Sequence, residues 1–175
     1  TDDMLLDIYA APTANAGGDG EVCINKIYTV SGATAINIAS VYWTANAGAN
    51  GVISNGTTLT PTYTPGAGDE GTTVTLTIHA VGNANCDEAT DDMLIDVYDA
   101  PTGSAGADDE TCVDKAFTVN TATATNYNTI LWTANAGANG VITNAGTLTP
   151  TYTPGAGDEG TTVTLTMTLN GNSNC

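Results

Sequence analysis

Carboxylates are the only chemistry-bearing groups that this sequence concentrates. They stand as Asp2-Asp3, Asp69-Glu70, Asp87-Glu88, Asp91-Asp92, Asp108-Asp109-Glu110 and Asp158-Glu159. Calcium needs six to eight oxygen ligands, and clustered carboxylates near a domain junction supply some of them. Asp87, Glu88, Asp91 and Asp92 read as one loop beside such a junction, with Asp108, Asp109 and Glu110 following it. Calcium is therefore the one cofactor that these residues admit. Neither an EF-hand nor a nonapeptide calcium loop is present, and solvated acidic loops account for the clusters as simply. Paired carboxylates also run glycoside hydrolysis, but no aromatic-rich segment accompanies them. There is one histidine, His79, so a Ser-His-Asp relay in each half is excluded. It reads as an exposed strand residue.

Charge removes further classes. The chain of 175 residues carries 19 acidic residues, two lysines and no arginine, for a formal net charge of −17. Nucleic-acid binding needs many cations to neutralise phosphates. Anionic membrane surfaces repel such a chain, and an arginine fork for phosphate or carboxylate cannot be built. Threonine fills 33 of 175 positions, and charged residues make up only 12%. A Thr-rich, Gly-rich, Lys-poor chain favours strands and turns. No run of 18 apolar residues exists, so no helix spans a membrane. The chain shows no signal peptide and reads as a mature or excised product.

The elements that position these residues come in duplicate. TDDMLLDIY starts at Thr1 and TDDMLIDVY at Thr90, an offset of 89 residues. WTANAGANGV recurs from Trp43 to Trp132 at the same offset, and LTPTYTPGAGDEGTTVTLT from Leu59 to Leu148. Residues 1–86 and 90–175 align without gaps at about 58 of 86 identical positions. Each copy has the size of an immunoglobulin-like sandwich. Val74, Leu76 and Ile78 alternate with threonines at a period of two, the mark of a half-buried strand, and Val163, Leu165 and Met167 repeat it. Asn50-Gly51 and Asn139-Gly140 predict tight hairpins with positive φ. Pro61 and Pro65 bracket Tyr63, which predicts an edge or irregular strand. Trp43 and Trp132 match the buried tryptophan of a sandwich core. The fold class is all-β: two tandem immunoglobulin-like β-sandwich domains, each with one disulfide.

Those disulfides follow from copy symmetry. Of the three pairings that four cysteines allow, only Cys23–Cys86 with Cys112–Cys175 treats both copies alike. Each would close a loop of 63 residues and stabilise by about 4 kcal/mol in the chain-entropy model. Disulfides imply an oxidising compartment, extracellular or periplasmic, and an extracellular, cell-surface location is the expectation.

Ala11-Pro12 and Ala100-Pro101 punctuate the chain. They divide it into an N-terminal strand and linker over 1–11, domain 1 over 12–99, and domain 2 over 100–175 lacking its last strand. Residues 3–9 then form a strand with no preceding domain, with Met4, Leu6 and Ile8 on one face. Domain 2 has no counterpart of residues 93–98. A spare apolar strand and an open edge resolve each other if the strand of one subunit fills domain 2 of the next. Met4, Leu6 and Ile8 would then lie near Val163, Leu165 and Met167. Such a heterologous contact does not close and builds a filament. Two other readings remain open: a window of a longer tandem array, and self-complete domains with residues 3–9 and 93–98 as first strands.

The order A-P-T-x-x-A-G, Cys, a Y-T-V strand, S-G-A-T-A, a Trp strand, L-T-P-T-Y-T-P-x-A-x-D, G-x-x-V-T-L-T and a second Cys resembles a known family. It is similar to the PKD-like and Ig-like tandem repeats of very long secreted surface proteins and adhesins, common in Bacteroidetes-type bacteria. Residues 12–98 match the whole order, and 101–175 match all but the final strand. The resemblance implies β-sandwich stalks of adhesins or pilus-like appendages, and it supplies no catalytic residues. The expectation is a non-enzymatic structural subunit whose partners are copies of itself in a head-to-tail polymer. A calcium- or glycan-binding cell-adhesion module is the rival reading. Neither nucleic acid nor membrane insertion is expected.

Overall fold

The structure is a computed structural model that describes residues 1–173 and 175. The chain forms two compact units, residues 1–99 and residues 100–173 with 175. In unit 1 the strands are β1 (Thr13–Asn15), β2 (Gly20–Cys23), β3 (Tyr28–Thr29), β4 (Thr34–Ile36), β5 (Ile38–Ala45), β6 (Val52–Ser54), β7 (Thr62–Thr64), β8 (Thr73–Gly82) and β9 (Ala89–Tyr98). A four-stranded sheet runs β2-β9-β8-β5, a three-stranded sheet runs β3-β7-β6, and β1 pairs with β4. Only β2 against β9 is parallel among these pairs.

Period-two alternation sets the long strands. In β8, Val74, Leu76, Ile78 and Ala80 are buried while threonines and His79 take the other face. In β9, Met93, Ile95 and Val97 are buried in the same way. These faces pack with Val22, Val30, Trp43 and Tyr63 into one core. Each apolar side chain so buried stabilises by about 1.5–3 kcal/mol. Residues 93–98 therefore belong to the closing strand of unit 1. This overturns the reading in which they open the second domain. Asp91 and Asp92 lie inside β9, not in a loop as their spacing predicts.

Unit 2 contains β10 (Thr102–Ser104), β11 (Phe117–Thr118), β12 (Thr123–Thr125), β13 (Thr129–Ala134), β14 (Val141–Thr143), β15 (Thr151–Thr153) and β16 (Leu165–Asn170). Its sheets are β13-β16, β11-β15-β14 and β10-β12. Among the described residues it has no counterpart of β2 or β9. The consequence appears in burial. Val74, Leu76 and Ile78 are at most 1% exposed, whereas Val163, Leu165 and Met167, their repeat equivalents, are only half-buried. Val163 also falls outside β16, because no neighbour holds that end of the strand in a ladder.

Three local expectations need correction. β7 is the central strand of its sheet, not an edge. Pro61 and Pro65 flank the ladder rather than interrupt it, and the Pro61 carbonyl still accepts the Val30 N–H at 3.0 Å. Neither Asn50 nor Gly51 has positive φ. That conformation falls on Asn55 (φ 54) and Asn144 (φ 55). Gly51 is glycine for another reason: a Cβ there would stand 2.4 Å from the Tyr63 ring. The third correction concerns the cysteines. Cys23 and Cys175 are disulfide-bonded, and Cys86 and Cys112 carry free thiols, so the two within-copy disulfides are not formed. Geometry forbids the one in unit 1. Cys23 pairs with Tyr98 at one end of β9, while Cys86 follows β8 at the hairpin end, where Ala80 pairs with Ala89. The length of β9 separates them by roughly 30 Å, and a disulfide tolerates no more than about 7 Å between Cα atoms.

Asp69 and Asp158 are not solvated acids. Asp69 is 1% exposed and Asp158 is 8% exposed. Tyr63 donates its hydroxyl to Asp69 Oδ2 at 2.7 Å, and the backbone N–H groups of Asn50 and Gly66 donate at 2.7 and 2.8 Å. Unit 2 repeats the corner with Tyr152, Asn139 and Gly155 around Asp158. Burial alone would raise the Asp69 carboxyl, but these donors outweigh it and hold the pKa below the ordinary value. At Asp158 the Tyr152 hydroxyl, with the two N–H groups, lowers it to about 2. Burial and the facing carboxylate push Tyr63 up to about 12. One charged group thus pins a proline-flanked strand to two glycine turns.

These features predict measurable asymmetries. Leu76→Ala should cost about 2–5 kcal/mol and Leu165→Ala about 1 kcal/mol in urea titrations of dilute monomer. Equal losses would contradict the difference in burial. Asp69→Ala should cost on the order of 3 kcal/mol, since it leaves the buried Tyr63 hydroxyl and two part-buried N–H groups without their acceptor. A depressed carboxylate stabilises above its unfolded pKa near 3.8 and loses that contribution as pH falls towards about 2. Thermal melts between pH 4 and pH 2 should therefore fall less steeply for Asp158→Asn than for the parent chain.

Candidate functional site

The site is a strand position that unit 1 fills and unit 2 leaves open. In unit 1, β9 lies between β2 and β8 and bonds to both. Its register is fixed by polar contacts as well as by apolar ones. Asp91 Oδ2 accepts the Ala16 N–H at 2.8 Å. Asp92 Oδ1 accepts the Thr77 hydroxyl, and Asp96 Oδ1 the Thr73 hydroxyl, both at 2.6 Å. Asp19 Oδ1 accepts the Leu94 N–H at 2.8 Å. Just before β8 begins, Gly71 donates to the Val97 carbonyl and Val97 donates to that of Thr72, both at 2.9 Å.

In unit 2 the equivalent space is an open groove of about 1410 Å³, lined among others by Asp108, Val119, Trp132, Tyr152, Val163 and Leu165. Met167 continues the same face of β16. The polar partners of the filled slot recur around it: Ala105 for Ala16, Asp108 for Asp19, Thr162 for Thr73 and Thr166 for Thr77. Spacing alone identifies Val163, Leu165 and Met167. The aromatic wall of Trp132 and Tyr152 escapes it, although the repeat offset from Trp43 and Tyr63 could have supplied both.

Residues 1–9, whose near-copy fills the slot in unit 1, form no strand and lie exposed. Met4 is 84%, Leu6 is 73% and Ile8 is 88% exposed. Their equivalents Met93, Ile95 and Val97 are at most 2% exposed. Few exposed side chains on a folded protein are as apolar and as regularly spaced as these. The two predicted halves of the strand-donor interface belong to different units.

The candidate calcium ligands have other partners or stand alone. Glu88 binds His79 and Tyr42, and Asp91 and Asp92 serve β9 as described. Asp109 Oδ1 accepts the Glu110 N–H at 2.8 Å. Asp87, Asp108, Asp109 and Glu110 are exposed. Among the described residues, no three His, Cys, Asp or Glu side chains gather as a metal site requires. Lys115 lies 4.0 Å from Asp114, with both side chains 72% exposed, a pair worth little.

His79 is half-buried rather than exposed. Its ring stacks on Tyr42 at 4.3 Å between centroids. Nδ1 lies 2.6 Å from Glu88 Oε1, and Nε2 lies 2.9 Å from the Thr44 hydroxyl. Tyr42 donates its hydroxyl to Glu88 Oε2 at 3.1 Å. The bond to His79, then that to Tyr42, holds the Glu88 carboxyl below its ordinary pKa. The order hydroxyl, imidazole, carboxylate is that of acyl-transfer relays. Here it lies across the outer face of β5 and β8. It ties two strands together. Tyr42 and His79 are direct cross-strand partners, a pairing that no spacing within one strand reveals. The second copy has Leu131 and Thr168 there.

Both tryptophans are buried, with Trp43 Nε1 donating to the Thr58 carbonyl and Trp132 Nε1 to that of Thr147, each at 3.0 Å.

No family model matches this chain, and no curated protein does. Among solved structures, it is similar to Sidekick-1 immunoglobulin domains 1–4, at 15% identity and a TM-score of 0.43 over 97% of this chain and 50% of that one. It is also similar to Sidekick-1 immunoglobulin domains 1–5, at 16% identity and a TM-score of 0.44 over 94% of this chain and 39% of that one. The chain thus spans half or less of the structures that it matches. The fold is all-β, with an apolar core in each of the two units.

Proposed function

We propose that this chain is a structural subunit of an extracellular filament or adhesin stalk, assembled head to tail by strand donation. Residues 2–9 of one copy enter the groove of unit 2 in the next. The observation that carries this reading is the contrast within one sequence. Met93, Ile95 and Val97 are fully buried between β2 and β8, whereas Met4, Leu6 and Ile8 are exposed and unit 2 has the unfilled position. The repeat dictates the donor register. Met4, Leu6 and Ile8 would cover Val163, Leu165 and Met167. Asp3 and Asp7 would accept from the Thr166 and Thr162 hydroxyls, and Asp2 from the Ala105 N–H. Each added strand brings main-chain hydrogen bonds for affinity and alternate side chains for specificity. An extracellular setting is consistent with disulfide-bonded Cys23 and Cys175. The role is mechanical and asks no catalysis of the chain.

Removing residues 1–9 should abolish linear polymers in electron micrographs while leaving unit 1 folded. A synthetic peptide of residues 1–11 added to the truncated chain should bind one to one and raise the melting temperature of unit 2. Filaments from the truncated chain, or a peptide without effect, would refute strand donation.

A further inference from the structure

We propose that Cys112 of one copy and Cys86 of the next form a disulfide that locks the donated strand in place. This rests on the strand-donation reading and adds a covalent step to it. The starting observation is that neither repeat closes its own cysteine pair. Cys112 is the repeat counterpart of Cys23, and Cys86 is that of Cys175. Cys23 and Cys175 are disulfide-bonded, whereas Cys86 and Cys112 are thiols. The same chain therefore carries each kind of position once oxidised and once free.

Contacts inside unit 1 place the two thiols together in a polymer. Cys86 Sγ lies 4.0 Å from the Tyr9 carbonyl oxygen and 3.8 Å from that of Ala10, at the end of the donor segment. At the other end of β9, Cys23 is the register partner of Tyr98, and Ile24 donates to the Tyr98 carbonyl at 2.9 Å. Transferred by the repeat offset, a seated donor strand brings its Tyr9 beside Cys112 of the receiving copy. Tyr9 carries its own Cys86 alongside. Cys112 is exposed and Cys86 half-buried, so an oxidant reaches the pair. A distant pair of thiols would need a search through solution. This pair is delivered by the docking that it then fixes.

The chemistry is ordinary thiol–disulfide exchange with a small-molecule disulfide such as oxidised glutathione. One protein thiolate attacks that disulfide and forms a mixed disulfide, releasing one small thiol. The second protein thiolate attacks the mixed disulfide and releases the other. Two protein thiols lose two electrons, the small disulfide gains them, and the two protons end on the released thiols.

The test oxidises the full chain with glutathione disulfide and reads it in two ways: electron microscopy, and non-reducing denaturing gels with peptide mapping. A ladder of covalent multimers containing the Cys86–Cys112 peptide pair supports the lock. So does a one-to-one mixture of Cys86→Ser and Cys112→Ser chains that stops at covalent dimers, with neither variant crosslinking alone. Filaments that run as monomers on the gel would overturn the lock and leave strand donation standing. Covalent multimers that form equally well from the chain without residues 1–9 would overturn the dependence on docking. Symmetric Cys86–Cys86 or Cys112–Cys112 products would overturn the pairing. Absence of both filaments and ladder would sink the two proposals together, a result distinct from filaments without crosslinks.

Discussion

The fold depends on one constraint: a long strand with an apolar face must be covered along its edge as well as on its face. β8 illustrates it. Val74, Leu76 and Ile78 reach full burial only where β9 lies beside them and brings Met93, Ile95 and Val97 into the same core. In unit 2, where no such neighbour lies among the described residues, identical or nearly identical residues stay half-buried and the strand shortens to Leu165–Asn170. Local propensity is the same in both cases. The neighbouring strand decides how much of it is realised. The two copies act as an internal control for the energetic value of one strand.

Secondary-structure type was legible in the residues because threonine and aliphatic side chains alternate so strictly, and the duplication was legible because 89 residues separate long identical runs. What escaped was everything set by pairing across strands. Sequence parity cannot say that β7 sits between β3 and β6, nor that Tyr42 stands opposite His79. The cysteines show the same limit. Symmetry between copies is sound reasoning about sequence, yet the path of β8 and β9 carries Cys23 and Cys86 to opposite ends of one sheet. The buried carboxylates were hidden for a different reason. Asp69 reads as a surface acid until Tyr63 and two backbone N–H groups are found around it, although the identical Y-T-P-G-A-G-D spacing in both copies could have flagged a fixed corner.

That corner and the cross-strand network on the opposite face share a physical theme. The chain has only two lysines and no arginine, so its partnered acids are held mostly by hydroxyl and N–H donors rather than by lysine or arginine. Asp69 and Asp158 use tyrosine and backbone, Asp92 and Asp96 use threonine, and Glu88 uses tyrosine and histidine. Neutral donors are insensitive to ionic strength in a way that ion pairs are not. A net charge of −17 is thereby compatible with a compact fold, and tyrosine and threonine hydroxyls become the main side-chain counterparts of these carboxylates.

The short hairpin between β8 and β9 has a kinetic meaning. Residues 1–9 and 90–98 are close enough in sequence to compete for the same position in unit 1. They do not compete on equal terms. β9 is tied to β8 by six residues, which gives it an effective concentration on the order of millimolar or higher, and hairpins close in about 1–10 μs. The same strand arriving from another copy of the chain, without that tether, meets the position only after it is taken. Tether length therefore sorts two nearly indistinguishable strands: one is consumed during folding of its own unit, and the other is kept in reserve with its apolar face intact.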